Sequence, residues 1–344
     1  MRLKIIHKDD LGPFVSSLQS EFQVLGPVAK ENKFVFAAIH HVSELRLDYN
    51  TTILPLKKAF LPQRETLFTF QTNDAFSVQP VFDPRPTVLF GAHTCDIHAM
   101  KLLDGAFTRD YRDAHYHKRR DNTLIVGIEC LAPCDEHSFC KSMGTLTGTE
   151  GYDLHLTDLG DSYAIDAGSD EGEALLAQHA RTSEATRDDI ARLNRVLSEK
   201  WPRFTYKLDF DASELPSLMA MSYKNPLWDE LGNKCLGCGQ CTIVCPTCYC
   251  FNVVDQVSLD STNGERARMW DCCQLEEFAR VATGENFRKS LGHRQRHRFF
   301  RKAKYLPDAF GELGCVGCGR CARSCLVHIS PVQVFNTLHQ ARTA

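Results

Sequence analysis

The sequence predicts an α+β protein in which an N-terminal mixed α/β domain precedes a helical two-cluster ferredoxin-like domain. Over the first two hundred residues, short apolar runs bounded by turn residues alternate with helical patterns. The sixteen cysteines are distributed differently, because most of them fall between Cys235 and Cys325. We therefore expect one domain over residues 1–225 and a second over residues 226–344.

The composition restricts the class of protein. A chain of 344 residues is long enough for two domains, and its 43% hydrophobic and 24% charged residues are typical of a globular protein. The formal net charge of −3 gives no support for a nucleic-acid partner. No apolar run approaches the roughly 18–20 residues of a membrane helix, and the first residues lack a secretory pattern. We expect a cytoplasmic protein whose reduced thiols bind metal rather than form disulfides.

Periodicity and turn residues place the secondary structure. Apolar runs predict strands at Leu3–His7, Phe34–Ile39, Thr66–Gln71, Thr87–Ala92 and Thr123–Glu129. Helical patterns predict helices near 10–24, 96–106 and 185–200, and in the second domain at Gln274–Thr283, Arg294–Lys304 and Pro331–Thr343. Residues 144–185 are rich in Gly, Asp and Glu, so we expect a surface excursion there and a linker near 210–228.

Two cysteine motifs with the same spacing lie in the second domain. They are Cys235-Leu-Gly-Cys238-Gly-Gln-Cys241-Thr-Ile-Val-Cys245 and Cys315-Val-Gly-Cys318-Gly-Arg-Cys321-Ala-Arg-Ser-Cys325. Both match the C-x2-C-x2-C-x3-C pattern of bacterial ferredoxins. The intervening glycines let the backbone approach the sulfur atoms closely. The sequence therefore predicts two 4Fe–4S clusters. A pair of zinc sites is disfavoured, because zinc motifs separate their C-x2-C pairs.

The ferredoxin pattern also predicts which cysteines share a cluster, because the fourth cysteine of each motif ligates the other cluster. One cluster takes Cys235, Cys238, Cys241 and Cys325. The other takes Cys315, Cys318, Cys321 and Cys245. The 70-residue separation of Cys245 and Cys315 is long for a compact ferredoxin. It resembles the helical ferredoxin domains of succinate dehydrogenase iron–sulfur subunits and of heterodisulfide reductase.

A third 4Fe–4S cluster is expected in the N-terminal domain. The candidate ligands are Cys95, Cys130, Cys134 and Cys140. The first two follow predicted strands, and neighbouring parallel strands would bring them to the sheet edge where α/β proteins bind ligands. Three nearby side chains, His93, Asp96 and His98, are candidates for supporting or substitute ligands. Two alternatives stay open: these cysteines are buried apolar residues, or Cys248, Cys250 and Cys273 bind the extra cluster instead.

A basic segment covers residues 288–304 and includes Arg296 and Arg298. It would balance the negative charge of two thiolate-bound clusters, and it would also offer a docking surface to an acidic partner. A nucleic-acid surface is less favoured, because no base-stacking aromatic pattern accompanies the basic residues.

The chain resembles the family formed by the β subunits of cytoplasmic NiFe sulfhydrogenases and the anaerobic sulfite reductase A subunit. The resemblance is carried by Ile53-Leu-Pro-Leu-Lys-Lys58, Phe90-Gly-Ala-His-Thr-Cys95-Asp-Ile-His-Ala99, Cys140-Lys-Ser-Met-Gly144, Cys245-Pro-Thr-Cys248-Tyr-Cys250 and Arg294-Gln-Arg-His-Arg298. One departure is Ser138-Phe139-Cys140, where the family usually has Cys-Phe-Cys. This departure bears on the third cluster, for which Cys134 is the nearby substitute.

The resemblance implies an electron-transfer subunit. Such a protein relays electrons between a flavin subunit that handles NAD(P)H and carries iron–sulfur clusters, and a catalytic hydrogenase or reductase subunit. The chain has no Gly-x-Gly-x-x-Gly or Walker motif of its own. Two other functions remain: a self-contained iron–sulfur redox enzyme with its site in the N-terminal domain, and a nucleic-acid-binding protein with structural clusters. Co-purifying partners would distinguish a relay subunit from a self-contained enzyme. Salt-dependent binding of nucleic acid would be required for the nucleic-acid-binding protein.

Overall fold

The structure is a computed structural model that describes residues 3–72, 75–83 and 85–343. The strands within these residues are β1 (Lys4–His7), β2 (Gln23–Lys30), β3 (Lys33–Ala38), β4 (Arg64–Gln71), β5 (Ser77–Pro80), β6 (Thr87–His93), β7 (Thr123–Ile128), β8 (Leu154–Asp158), β9 (Ser162–Ala167), β10 (Ser183–Glu184), β11 (Phe251–Val257) and β12 (Asn263–Trp270). The helices are α1 (Lys8–Leu18), α2 (Thr94–Thr108), α3 (Ala114–Arg120), α4 (Asp170–His179), α5 (Arg187–Lys200), α6 (Leu215–Met221), α7 (Leu227–Lys234), α8 (Gln240–Ile243), α9 (Leu291–Phe300), α10 (Leu306–Phe310), α11 (Arg320–Arg323) and α12 (Pro331–Thr343). A π-helical turn, Arg301–Tyr305, follows α9.

The larger sheet has the strand order β10-β1-β9-β8-β7-β6-β2-β3. Its centre is parallel, since β6 pairs in parallel with both β2 and β7, and β7 pairs in parallel with β8. In β6 every residue is buried, which explains its unbroken apolar run. The ends of β6 and β7 lie side by side, with His93 paired to Ile128. The structure thus confirms that these two predicted strands are neighbours.

The predicted surface excursion over residues 144–185 is wrong. The structure folds this segment into the antiparallel pair β8 and β9 and then into α4. Leu154, Leu156 and Ile165 are fully buried in the same core as β6 and β7. Gly144, Gly151 and Gly160 lie in turns or bends, whereas Asp166 lies in β9 and Gly172 in α4. The few buried apolar residues hold the strands in the sheet.

A second sheet has the order β11-β12-β4-β5 and joins distant parts of the chain. The β11–β12 hairpin lies between the two ferredoxin motifs, where the sequence predicted only helices, and the predicted helix Gln274–Thr283 is reduced to a turn at Glu277–Ala279. Arg268 of β12 is buried and forms ion pairs with Glu65 of β4 and with Asp113. This pairing holds the hairpin against the N-terminal part of the chain.

The segment predicted as a linker, residues 210–228, lies in a hydrophobic core. Leu215, Leu218 and Met219 are buried and pack in one cluster with Phe139 from the N-terminal part and Phe335 of α12. The predicted boundary between residues 225 and 226 therefore falls inside shared packing, and the division into two folding units stays a prediction. The presence of both sheets and helices agrees with the predicted α+β class.

His155 of β8 gives the fold a pH dependence. Its imidazole is buried, and it packs closely against Gly127, where an added Cβ atom would lie 2.7 Å from the imidazole Cδ2 atom. Burial, with a smaller contribution from the Lys200 ammonium, lowers the pKa of His155 to about 4. Its Nε2 atom lies 3.8 Å from Glu129, but the imidazole is neutral near pH 7 and forms no ion pair.

We expect His155 to destabilise the fold as the pH falls. The unfolded chain protonates this imidazole below pH 6.5, whereas the folded chain does so only near pH 4. The free energy of unfolding therefore decreases as the pH falls from 6.5 toward 4, and the decrease from pH 7 to pH 5 is about 2 kcal/mol. Urea unfolding of the wild type and of His155→Gln at both pH values measures this difference. An equal pH dependence of the two proteins would contradict it.

Candidate iron–sulfur sites

The first motif folds around one cavity. We define site A as the thiols of Cys235, Cys238, Cys241 and Cys325, and all four residues line this cavity. The motif begins where α7 ends and turns at Gly237 and Gly239, whose φ angles are 66° and 77°. A side chain is strained at such angles, so glycine is required for the turn. The structure thereby brings together residues from both motifs, as the ferredoxin pattern predicts.

Polar hydrogens point at the sulfur atoms of site A. The Gly237 N–H donates to Cys235 Sγ at 3.4 Å, and Gln295 Nε2 donates to the same sulfur at 2.9 Å. The Ile329 N–H donates to Cys325 Sγ at 3.3 Å. Donors of this kind stabilise thiolates bound to a cluster. The four residues and their donors therefore fit a 4Fe–4S cluster.

The second motif forms the neighbouring site. We define site B as the thiols of Cys315, Cys318, Cys321 and Cys245. A second cavity is lined by three of them, Cys245, Cys315 and Cys321. Burial raises the pKa of the Cys318 thiol to about 12; the charge of Arg320 opposes this rise, and the Cys245 and Cys321 thiols add to it. Gly317 turns at a φ of 67°, and a Cβ atom there would lie 2.6 Å from the Cys140 backbone. Glycine is required at this position both by the turn and by this close approach.

Three buried cations surround sites A and B without a carboxylate partner among the described residues: Lys57, Arg298 and Lys302. Burial opposes the charge of Arg298, but the thiols of Cys241 and Cys321 outweigh it and raise the pKa of the guanidinium. A buried cation without a partner is strongly disfavoured, so anionic thiolates are its natural counterpart. The sequence marked Lys57 only as part of the stretch Ile53–Lys58 that carries the family resemblance, and it gave this residue no role at the clusters because no spacing rule connects it to the cysteines.

Several side chains of the basic segment are buried, whereas a docking surface would need them to be exposed. Arg294, Arg298 and Lys302 recur every four residues and are all buried. Arg296 is partly exposed and stacks on the Tyr223 ring, with its guanidinium carbon 4.0 Å from the ring centroid. These positions support charge balance for the clusters, while docking at Arg296 stays a prediction.

The four N-terminal cysteines converge. We define site C as the thiols of Cys95, Cys130, Cys134 and Cys140. Cys95 lies in the first turn of α2 just beyond β6, and Cys130 follows β7. Burial raises the pKa of Cys130, and the neighbouring Cys134 and Cys140 thiols raise it further. Cys95 and Cys140 both also interact with Cys318, so site C adjoins site B.

Of the three polar residues suggested near site C, only His93 contacts one of its cysteines in the structure. Its Nδ1 atom lies 3.8 Å from Cys134 Sγ, and its ring stacks on Tyr49 with centroids 4.1 Å apart. Burial, then the charge of Arg320, lowers the pKa of His93 to about 3, so its imidazole is neutral. Asp96 instead pairs with Arg320, and His98 Nε2 bonds to the Thr147 carbonyl at 3.0 Å.

The alternative ligand set occupies another place. We define site D as the thiols of Cys248, Cys250 and Cys273. The thiols of Cys250 and Cys273 interact with each other, and Cys248 interacts with Cys245 of site B. The structure therefore divides the alternative set, because Cys248 lines the cavity of site B while Cys250 lies with Cys273. Among the described residues, no three His, Cys, Asp or Glu side chains converge closely enough to hold a single metal ion.

These sites define an iron–sulfur protein of the two-cluster ferredoxin type, and residues 234–329 match the family model of the 4Fe-4S dicluster domain. The whole chain is similar to sulfhydrogenase 2 subunit beta of Pyrococcus furiosus, with 34% identity over 340 residues that cover 99% of each chain. The chain belongs to the sulfhydrogenase beta-subunit family, which confirms the resemblance seen in the sequence. No solved structure matches it. None of the described helices is long and apolar enough to span a membrane.

Proposed function

We propose that this chain relays single electrons within a multi-subunit cytoplasmic oxidoreductase. Its partners would be a flavin subunit that oxidises or reduces NAD(P)H and carries iron–sulfur clusters, and a catalytic subunit of the hydrogenase or sulfur- or sulfite-reductase type. The observation that carries the proposal is the pair of adjacent thiol cavities, sites A and B, each built from both motifs. A 4Fe–4S cluster bound at each site supplies one-electron chemistry.

The arrangement of thiols supports a relay. Cys241 of site A interacts with Cys321 of site B, and Cys318 of site B interacts with Cys95 of site C. Three sites would then follow one another from the ferredoxin motifs into the larger sheet. We assign a third 4Fe–4S cluster to site C, where Cys134 replaces the cysteine that the family usually has at Ser138.

The surface near site A suits the transfer of electrons to a partner. Cys238 is the exposed member of the site, and Leu236 and Leu326 beside it are 60% and 77% exposed. Exposed apolar residues next to a redox group are typical of a docking patch. In site C, by contrast, Cys95 and Cys140 are buried. Burial there favours an internal relay over the rival hypothesis of a substrate site in the N-terminal domain.

Purification of the natural complex tests the proposed function. If the chain is a relay subunit, it should co-purify with one partner that contains flavin and with another that carries the catalytic centre. The NAD(P)H-linked activity should then disappear when this chain is omitted from the reconstituted complex. Turnover by the isolated chain with NAD(P)H and a terminal acceptor would contradict the proposal and favour a self-contained enzyme.

Replacing Cys95 by serine tests site C. We expect the variant to lose about four iron atoms per chain relative to the wild type, because a cubane contains four. Iron analysis and low-temperature EPR of the anaerobic protein measure this loss. Cys272→Ser is the control, because it makes the same chemical change outside sites A, B and C. Equal iron content and equal spectra for Cys95→Ser and wild type would refute the third cluster.

A further inference from the structure

Three guanidiniums of the basic segment reach the surface without a counter-charge. We define the arginine patch as the partly exposed side chains of Arg288, Arg296 and Arg301. Among the described residues, no carboxylate forms an ion pair with any of the three, and the acidic side chains on either side are engaged elsewhere. Glu277 pairs with Arg280 at 2.9 Å, and Asp308 pairs with Lys304 at 2.6 Å. The patch therefore carries an uncompensated positive charge.

The three guanidiniums act on the same neighbouring side chains. Arg288 Nη1 lies 3.2 Å from Nδ1 of His297. Burial, and then the charges of Arg288 and Arg301, lowers the pKa of His297 to about 4, so this imidazole is neutral and can accept the guanidinium N–H. Burial raises the pKa of the Tyr305 phenol, and the charges of Arg296 and Arg288 oppose that rise. The positive charges are thus concentrated at one place on the surface.

Exposed aromatic and apolar side chains border the arginine patch. Arg296 donates a guanidinium N–H to the Tyr223 carbonyl at 3.3 Å, and the rings of Tyr223 and Tyr305 are both exposed. Met221 and Phe287 nearby in the chain are also exposed. Arginine, tyrosine, methionine and phenylalanine are enriched in protein–protein interfaces. This composition favours a protein partner, and the charge of the patch requires that the partner's contact face be acidic.

The helix that carries the patch also contacts site A. Gln295 of α9 donates to Cys235 Sγ, and Arg296 follows it directly in the chain. The buried guanidinium of Arg298, on the same helix, interacts with the Cys241 thiol. An α-helix with its side chains is about 10 Å across. A redox group docked at the patch would therefore be separated from site A by about the thickness of one helix, which is short enough for electron transfer.

We propose that the arginine patch is the docking surface for the acidic face of a partner subunit that exchanges electrons with site A. Docking would bring carboxylates to three guanidiniums that have none within the described part of the chain. This inference rests on the proposed relay function, and it names the chemistry of the partner, which the apolar residues beside Cys238 leave open.

Charge reversal at the patch tests this inference. Arg296→Glu/Arg301→Glu is compared with Arg187→Glu/Arg195→Glu, which reverses two exposed arginines of α5 that also form no ion pair among the described residues. Biolayer interferometry measures how tightly each anaerobic full-length chain binds the remaining subunits of the natural complex, purified without this chain. At low salt we expect the patch variant to bind at least about tenfold more weakly than the wild type, because like charges would then meet. The control should keep the affinity of the wild type.

Salt and competing ligands sharpen the test. The difference between the wild type and the patch variant should shrink as the ionic strength rises, because salt screens exposed charges. An unchanged affinity of the patch variant would overturn the proposal, and so would an equal loss in the control. A patch variant that loses binding to a DNA oligonucleotide but keeps its affinity for the partner subunits would also overturn it.

Cross-linking of the unchanged chain keeps the inference testable if charge reversal disturbs folding. Carbodiimide joins lysine amines to carboxylates in contact, so the exposed Lys289 beside Arg288 should be joined to an acidic residue of a partner subunit. Mass spectrometry of the digested complex identifies the linked peptides, and cross-links found only elsewhere would overturn the placement. A complex without flavin and catalytic subunits would refute the proposed function, whereas a complete complex that binds the patch variant normally would refute the docking surface alone.

Discussion

Replacing Arg320 by methionine is expected to lower the free energy of unfolding by about 3–5 kcal/mol. Arg320 follows the Gly319 turn of the second motif and forms a bidentate ion pair with Asp96, with N–O distances of 2.8 and 2.6 Å. Both side chains are almost fully buried. Methionine would leave the Asp96 carboxylate buried without a partner, and this uncompensated charge accounts for most of the loss.

Two variants isolate the charge from other effects. Arg320→Met/Asp96→Leu removes both charges and should recover most of the stability, because a buried pair can be replaced by apolar side chains at little cost. Arg266→Met removes a bidentate pair of similar geometry with Asp255, but that pair is exposed, and we expect a loss of about 1 kcal/mol or less. Urea unfolding followed by circular dichroism compares them. An Arg320→Met loss no larger than that of Arg266→Met would show that the buried pair is not needed.

Replacing Cys318 by serine is expected to stop electron relay through the chain. Cys318 belongs to site B, which lies between site A and site C, and its thiol interacts with Cys245 and Cys321 on one side and Cys95 on the other. The variant should lose about four iron atoms per chain, and transfer between the flanking partners should fall to the level of a complex lacking this subunit.

Iron analysis, EPR and NAD(P)H-linked turnover of the assembled complex measure these effects. Cys272→Ser serves again as the matched control, because its thiol is held by Thr242 and the Gln274 N–H. A Cys318→Ser complex with full iron content and normal turnover would remove site B from the relay.

Local pattern was sufficient for much of the fold. The strands predicted at Thr87–Ala92 and Thr123–Glu129 match β6 and β7 to within one residue. The helix predicted at Pro331–Thr343 is α12. Fully buried strands are continuous apolar runs, and such runs can be recognised without knowledge of their neighbours. The hairpin of β11 and β12 was missed, because its strands carry many polar residues and are held by pairing with β4, which lies about 200 residues earlier in the chain.

The spacing of the two motifs, by itself, determined that this chain is an iron–sulfur protein with two ferredoxin-type cysteine sets. Cysteines separated by two or three residues are constrained by the backbone between them, so the type of cluster that they bind can be predicted from the sequence. Only the tertiary structure decided that Cys95, Cys130, Cys134 and Cys140 lie together beside Cys318, and that Cys250 lies beside Cys273. Both arrangements depend on strand pairing, which joins residues that are distant in the chain.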